Sequence, residues 1–179
     1  MRRVVITVSG LHGSGKSTHA RRLAEVLGLR YISAGEMFRR MADERGLTLE
    51  EMSKLAEEDP EIDRLVDERT KKEALKGGVV VDAVLSGWMA DTADIKAFLT
   101  APLEARIRRI AERDGLNLEE ARRRTLLREE IERERFRKFY GMNISDLSIY
   151  DVVLNTELFD ADGTARILKK VVEEYCSEG

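Results

Sequence analysis

The sequence predicts an α/β fold in which helices cover both faces of a doubly wound, parallel sheet of five strands. Three observations support this prediction. Short apolar runs alternate along the chain with longer segments whose apolar residues recur at helical spacing. The run at residues 79–81 is Val-Val-Val, as expected for a strand buried on both faces of a parallel sheet. The 179 residues, 42% of them hydrophobic, are enough for one domain around one core.

The first half of the chain is predicted to form two strands and four helices. A strand over residues 4–8 leads into a glycine-rich turn, and the helix that follows, over residues 17–27, ends at Gly28. A second strand covers residues 29–32. Three further helices precede the third strand and predict a helical insert; they cover residues 34–46, 48–58 and 60–76.

The second half continues the alternation of strands and helices. Gly77 and Gly78 end the insert, and the third strand then ends at Asp82. The remaining predicted elements are a strand over residues 95–99, a helix from 102 or 103 to 113, a long charged helix over 117–140, a strand over 152–154 and a helix over 164–175.

Residues 10–18 read GLHGSGKST and fit the P-loop pattern G-x-x-x-x-G-K-[ST] between the first strand and the first helix. Such a turn offers several backbone N–H groups at one point, beside the positive end of the helix dipole. We therefore expect a nucleoside triphosphate, with Lys16 at its phosphates and the Ser17 hydroxyl on Mg²⁺; the alternative is a chance glycine turn. The residues expected to bind ATP are Gly10, Leu11, His12, Gly13, Ser14, Gly15, Lys16, Ser17 and Thr18, with the His12 side chain as a bystander.

In a doubly wound sheet the ligand site lies beyond the carboxyl ends of the strands. That rule selects residues 10–18, 33–39 and 82–88 and the loop after residue 154. GTPases are disfavoured because the guanine-specifying N-K-x-D is missing, and dinucleotide enzymes because the glycine spacing does not fit G-x-G-x-x-G. A small ATP-dependent kinase remains, with its second substrate at the helical insert. An ATP-dependent switch or binding module is the alternative from another class.

Composition limits the partners and the location. Charged residues make up 36% of the chain but nearly cancel to −3, so there is no broad attraction for nucleic acid or an anionic membrane. No run approaches the roughly 20 apolar residues that span a bilayer. Cys176 is the single cysteine, which excludes an intramolecular disulfide and fits a reducing compartment. We expect a cytoplasmic monomer that binds neither nucleic acid nor membrane.

Five runs, in chain order, carry a family resemblance: YISAGEMFRRMA (31–42), PEIDRLVDER (60–69), LSGWM (85–89), APLEARIRRIAERDG (101–115) and FYGMNISDLSIYDVVLNT (139–156). They resemble the archaeal type of cytidylate kinase over almost the entire chain. The resemblance implies phosphoryl transfer from ATP to CMP or dCMP, giving ADP and CDP or dCDP, with Mg²⁺. It also implies a core (residues 1–33, 77–115 and 150–179), an NMP-binding insert (about 34–76) and a LID (about 116–149).

The resemblance assigns the acceptor phosphate and the metal by position. Ser33, Gly35 and Arg39 would lie at the monophosphate, where a guanidinium fork can pair with two oxygens. Gly87, in the LSGWM run, would also contact the substrate. Asp82 would bind a water on Mg²⁺. The alternatives are a solvated helix arginine at position 39 and a strand-end cap at position 82.

Two further sets of residues are implied for the base and for the transferring group. Asp63 and Asp67, four apart on one helix face, could accept from the exocyclic amine of cytosine, or could form an ordinary polar face. In the long charged helix, Arg128 and Arg135 best match the LID arginines that close over the phosphoryl group and, with Lys16, act in catalysis. Most of that helix is expected to be a solvated face with i,i+4 ion pairs.

One position departs from the family pattern, and one catalytic group is missing. Bacterial relatives, and several archaeal ones, have an arginine soon after the third strand, where this chain has Asp82-Ala83-Val84, and valine cannot bind phosphate. No general base is evident, which suits a monophosphate acceptor whose second pKa is roughly 6, so that the attacking oxygen is already ionised at pH 7. Asp82 could act as a base toward an alcohol. Kinases of other nucleoside monophosphates or of a shikimate-like molecule therefore stay open.

Overall fold

In the computed structural model, which describes residues 4–90 and 92–177, five strands form one sheet whose pairings are all parallel. Their order across the sheet is second, third, first, fourth, fifth in chain numbering. The α/β fold with a parallel, five-stranded sheet is thus confirmed. The strands are β1 (Val5–Ser9), β2 (Arg30–Ser33), β3 (Val79–Asp82), β4 (Ile95–Thr100) and β5 (Val152–Asn155).

The helices follow the predicted sequence of elements. The predicted insert between β2 and β3 consists of three of them, α2, α3 and α4, and the long charged helix is α7. The predicted core also includes residues 1–3, 91 and 178–179, which lie outside the described residues. The helices are α1 (Lys16–Leu27), α2 (Ala34–Glu44), α3 (Leu49–Glu58), α4 (Pro60–Ala74), α5 (Ser86–Met89), α6 (Leu103–Asp114), α7 (Leu118–Tyr140) and α8 (Ala161–Ser177).

Apolar side chains on both faces of the sheet are buried, because successive residues of a strand point to opposite faces. On one face Ile6 and Val80 pack with Leu23 of α1 and Leu168 of α8. On the other face Val79 and its neighbours pack with Ala74, the last residue of α4, and with Ala90, directly after α5. The insert has a small core of its own, formed by Phe38, Ala42, Met52, Ala56, Ile62 and Val66.

Local hydrogen bonds explain where the element boundaries differ from prediction. Helix α8 begins three residues early because the Asp160 carboxylate accepts from the N–H of Gly163 (2.7 Å). Helix α4 ends at Ala74, where the carbonyl accepts from the N–H of Gly77 (2.9 Å). Helix α5 is a single turn, too short to show a period in the sequence. Among the described residues, no helix is both long and apolar enough to cross a membrane.

Candidate active site

The loop between β1 and α1 has no room for side chains at two of its glycines. A Cβ atom at Gly10 would lie 2.4 Å from the carbonyl oxygen of Leu99, and one at Gly13 would lie 2.6 Å from that of Arg106. Gly15, at φ +82°, ends the loop, and no side chain caps the N-terminus of α1. The N–H groups of the first turn of α1 therefore remain for an anion.

Side chains of α6, and one directly after β5, donate hydrogen bonds to carbonyl groups of this loop. Arg106 Nη1 donates to the carbonyl oxygen of His12 (2.8 Å), and Arg109 Nη1 donates to that of Gly13 (3.3 Å). Thr156 Oγ1 donates to the carbonyl oxygen of Ser14 (2.6 Å). Because these carbonyl groups are already bonded, the loop is held in shape without a ligand.

A cleft of about 880 Å³ extends from this loop to the insert. A second cavity, of about 310 Å³, lies between Ala74 and Asp94 and contains none of the predicted site residues. The cleft thus brings together phosphate-loop, insert and α7 residues that are far apart in sequence. The predicted residues that line it are His12, Gly13, Gly15, Lys16, Ser17, Thr18, Ser33, Gly35, Arg39, Asp63, Asp67, Asp82, Arg128 and Arg135.

Four predicted residues do not line the cleft, and packing explains their positions. Gly87 lies under the ring of Tyr150: a Cβ atom there would be 2.4 Å from Cε1 of that ring. The N–H of Gly87 donates to Ser9 Oγ (3.1 Å). This glycine therefore allows the Tyr150 ring to pack closely and does not line the cleft. Leu11 packs in a cluster around Phe136. The other two are Gly10, which packs against the Leu99 carbonyl group, and Ser14, which is fully buried.

Charged groups from several elements act on the Lys16 ammonium. Burial is the main cause that lowers its pKa, and the charges of Arg128 and Arg39 lower it further. Asp82 and Glu132 oppose this by stabilising the charged form. Charged side chains of β3, the insert and α7 therefore all lie close enough to Lys16 to shift its pKa.

Asp82 has one oxygen bonded and one oxygen open. The Tyr31 hydroxyl donates to Asp82 Oδ2 (2.8 Å), which fixes the carboxylate at the end of β3. Asp82 Oδ1 is buried and has no hydrogen-bond partner among the described residues. Ser33 is the register neighbour of Asp82 on β2, and its Oγ accepts from the N–H of Glu36 (3.2 Å) as the N-cap of α2.

Helix α7 contacts the insert through two carboxylates that were predicted to bind cytosine. Arg135 Nε lies 2.7 Å from Asp63 Oδ2, with both side chains less than 10% exposed. The N–H of Arg135 is not aimed at that oxygen, so the contact is an ion pair without an aligned hydrogen bond. The Tyr140 hydroxyl donates to Asp67 Oδ2 (2.5 Å). Both carboxylates therefore have partners in the absence of a nucleotide.

Arg135, which is expected at the transferring phosphoryl group, lines the cleft and pairs with Asp63 of the insert. It lies seven residues beyond Arg128, hence on the same face of α7 but about 10 Å further along the axis. At this position its side chain contacts Asp63 in the insert. Arg124 and Arg133, two further arginines of this helix, are exposed, and Arg124 pairs with Glu120 four residues earlier (2.5 Å). This part of α7 is solvated as predicted.

Burial dominates the titration of the two insert carboxyls. It raises the pKa of Asp63, against the opposing charge of Arg135. It raises the pKa of Asp67 to about 6, although the hydrogen bond from Tyr140 opposes the shift. Burial and the bond to Asp67 also raise the pKa of the Tyr140 hydroxyl, which stays protonated as a donor.

The Asp67 carboxyl gives the first testable prediction. A carboxyl whose pKa is higher in the folded than in the unfolded chain contributes stability that is complete below about pH 4 and is lost as the pH rises through about 6. The free energy of unfolding of the unmodified protein should therefore fall relative to that of Asp67→Asn between pH 4 and pH 7, by on the order of 1–3 kcal/mol. Urea unfolding at four pH values measures this difference. The exposed Asp43→Asn is the control, and a constant difference for Asp67→Asn would contradict the prediction.

Several residues of the site carry no signal in the sequence. Arg106 Nη1 is 2.5 Å from Glu129 Oε1, and both side chains are less than 10% exposed, so α6 and α7 share a buried ion pair. Arg106 lies between the buried Ala105 and Ile107, and an arginine between two core positions is the one hint that it is buried. Glu132 contacts His12 (2.7 Å), a contact that the sequence does not indicate. Contacts between distant segments leave no local pattern.

Comparison with known proteins agrees with the geometry. A model of the cytidylate kinase-like family matches residues 5–158. The cytidylate kinase of Staphylothermus marinus is 49% identical over 98% of this chain and 99% of that protein. The cytidylate kinases of Archaeoglobus fulgidus and Pyrococcus horikoshii are 48% and 45% identical, over 94% and 96% of this chain and 94% and 89% of those proteins. These matches include the phosphate loop, the insert and α7.

Solved structures of low sequence identity share the fold. An uncharacterized protein from Eubacterium ventriosum has a TM-score of 0.73 at 18% identity, and a shikimate kinase from Bacteroides thetaiotaomicron has a TM-score of 0.62 at 17% identity. Each comparison covers 95% of this chain and 98% of the other chain. At these identities the likeness concerns the fold alone.

Proposed function

This chain belongs to the cytidylate kinase-like family, and from that premise we propose that it transfers the γ-phosphoryl group of ATP to CMP or dCMP. The products are ADP and CDP or dCDP. The observation that carries the proposal is the convergence on Lys16 of Arg39 from the insert, Arg128 from α7 and Asp82 from β3, in one cleft that continues to the insert. A donor phosphate and an acceptor phosphate would meet among these charges.

The phosphate loop and Lys16 hold the donor. The open N–H groups at the start of α1 receive phosphate oxygens, and the Lys16 ammonium places a point charge beside them. Arg39 holds the acceptor phosphate from the other side of the cleft. Ser33 and Gly35 lie next to that phosphate, and Arg128 covers the group in transfer.

The transfer needs no general base. An oxygen of the acceptor phosphate bonds to the γ-phosphorus while the bond from that phosphorus to the bridging oxygen breaks, and ADP leaves with the electron pair. Because the second pKa of a phosphate monoester is roughly 6, the attacking oxygen is ionised at neutral pH. Positioning and electrostatic stabilisation then account for the rate. A shikimate-like alcohol acceptor would need a base, and family membership favours the nucleotide.

The residues near the loop fit a magnesium ion. Ser17 begins α1 at the cleft, and the buried Asp82 Oδ1, without a partner among the described residues, suits a metal-bound water. When bound with ATP, Mg²⁺ would neutralise charge on the phosphate oxygens. The proposal includes the division into core, NMP-binding insert and LID given above, and a monomer in the cytoplasm.

At the base end of the cleft, Asp63 and Asp67 would face cytosine. Phe38 and Val66 provide apolar walls there, beside the carboxylates. A carboxylate accepts from the exocyclic amine of cytosine, which uracil lacks. Arg135, paired with Asp63, would hold that carboxylate at the base and leave the phosphates to Arg39 and Arg128.

An acceptor panel tests the proposed function. ADP release from ATP and Mg²⁺ is measured with AMP, CMP, dCMP, UMP, GMP and shikimate in turn. We expect the strongest stimulation by CMP or dCMP. Stimulation by shikimate alone, or by no acceptor, would refute the proposal, and the second result would favour a switch or binding module.

Arg39 gives a prediction that separates the two substrates. Arg39→Ala should raise the KM for CMP by about tenfold, because a hydrogen-bonded charge pair contributes roughly 1.5–3 kcal/mol, and should leave the KM for ATP nearly unchanged. The neighbouring Arg40 is exposed and does not line the cleft, so Arg40→Ala is the matched control. Equal changes in both KM values for Arg39→Ala would contradict its place at the acceptor.

A further inference from the structure

Glu132 joins two elements of the site through its two carboxylate oxygens. Its Oε2 lies 2.7 Å from His12 Nε2 in the phosphate loop, and its Oε1 accepts from Arg128 Nε at 3.0 Å. The Glu132 side chain is 8% exposed and lines the same cleft as Lys16. Neither the family resemblance nor the mechanism above gives this glutamate a role.

The charge state of the cluster follows from its surroundings. Burial alone would raise the pKa of Glu132, but contact with His12 and the charges of Arg128 and Arg135 outweigh burial and lower it. Burial lowers the pKa of His12, against the opposing charge of Glu132. An ionised carboxylate can only accept hydrogen bonds. His12 Nε2 therefore carries its own proton and donates a hydrogen bond to Glu132. The histidine therefore serves as a fixed donor from the loop.

We propose that Glu132 is a positioning residue that holds Arg128 over the phosphate loop, with His12 as the anchor on the loop side. The inference rests on the proposed function for the role of Arg128. An arginine side chain has several rotatable bonds, so an unanchored Arg128 would sample many positions. A carboxylate bonded to both Arg128 and the loop removes that freedom before ATP arrives.

A second ion pair between α6 and α7 helps to hold α7 next to the loop. Glu129, one turn earlier, pairs with Arg106, and Arg106 donates to the carbonyl oxygen of His12. Helix α7 is thus fastened to the loop at two successive turns. Of these two contacts, only the one through Glu132 includes Arg128, an arginine that lines the cleft.

A binding measurement tests the proposal without an acceptor. The dissociation constants of ATP and of ADP are measured with Mg²⁺, and their ratio reports contacts to the γ-phosphate. Arg128→Ala should reduce the preference for ATP about tenfold, and Glu132→Gln should reduce it by a similar factor. In the double variant the loss should stay within about twofold of that in Arg128→Ala alone, because Glu132 acts through Arg128.

Controls separate positioning from a merely structural role. Glu130→Gln, an exposed neighbour on α7, should keep the preference for ATP, and thermal unfolding checks that each variant is folded. If Glu132→Gln does not fold, His12→Ala removes the loop anchor alone and should still reduce the preference for ATP. Multiplicative losses in the double variant, or an unchanged preference in Glu132→Gln or His12→Ala, would overturn the proposal. If CMP fails as an acceptor but the non-additivity holds, the proposed acceptor falls and the role of Glu132 stands.

Discussion

Lys16→Ala should reduce kcat for phosphoryl transfer by on the order of 100- to 1000-fold, the usual effect of removing one group that stabilises developing charge. Folding should not suffer. Burial lowers the pKa of Lys16, which means that its charge is disfavoured in the folded protein without a ligand. The variant should therefore unfold at the same temperature as the unmodified protein or a higher one. Steady-state turnover with CMP and thermal unfolding without nucleotide are the two measurements.

The matched control for Lys16→Ala is Lys54→Ala, which removes an exposed ammonium on the surface of the insert. It should change neither turnover nor stability. Turnover of Lys16→Ala within tenfold of the unmodified protein would show that the ammonium is not at the reacting phosphates. A large drop in its unfolding temperature would show that Lys16 is a structural residue.

Arg106→Ala should cause the largest loss of stability. Removing one partner of a buried ion pair leaves the other charge uncompensated and costs about 3–5 kcal/mol. For a chain of this length that corresponds to a fall in Tm of about 10 °C or more. Glu129 would be the orphaned charge, since it lies 2.5 Å from Arg106 and both are buried. The comparison is Glu174→Ala, which breaks an exposed pair with Lys170 and should leave the Tm unchanged.

A double variant separates the two roles of Arg106. Replacing the pair with apolar residues, as in Arg106→Met with Glu129→Leu, should restore most of the stability because no charge remains buried without a partner. It should not restore ATP affinity, because the bond from Arg106 to the carbonyl oxygen of His12 is still absent. Recovery of both properties would mean that this arginine does not shape the phosphate loop.

The sequence predicts the fold well because its signals are local. The buried strand β3, the glycine-rich turn after β1 and the capped helices of the insert each depend on residues close together in the chain. The same locality identifies Lys16 and Ser17. Alternation of strands and helices then determines a parallel sheet and brings the candidate segments to one edge.

Contacts between distant segments could not be predicted in this way. His12 and Glu132 are 120 positions apart, and nothing near either one indicates the other. The charge pattern of α7 shows i,i+4 pairs but not which face meets the insert, so the contact of Arg135 with Asp63 was not predicted. The close approach of the Tyr150 ring to Gly87 likewise has no signal in the motif around that glycine. These outcomes depend on packing between elements.

Direct identification of the product tests the central claim most sharply. Phosphorus NMR follows ATP, Mg²⁺ and CMP with the protein, and with Lys16→Ala as the blank. We expect the γ-phosphorus signal of ATP to fall and the β-phosphorus signal of CDP to rise by the same amount. Conversion of the γ-phosphate to inorganic phosphate alone, with CMP unchanged, would contradict it.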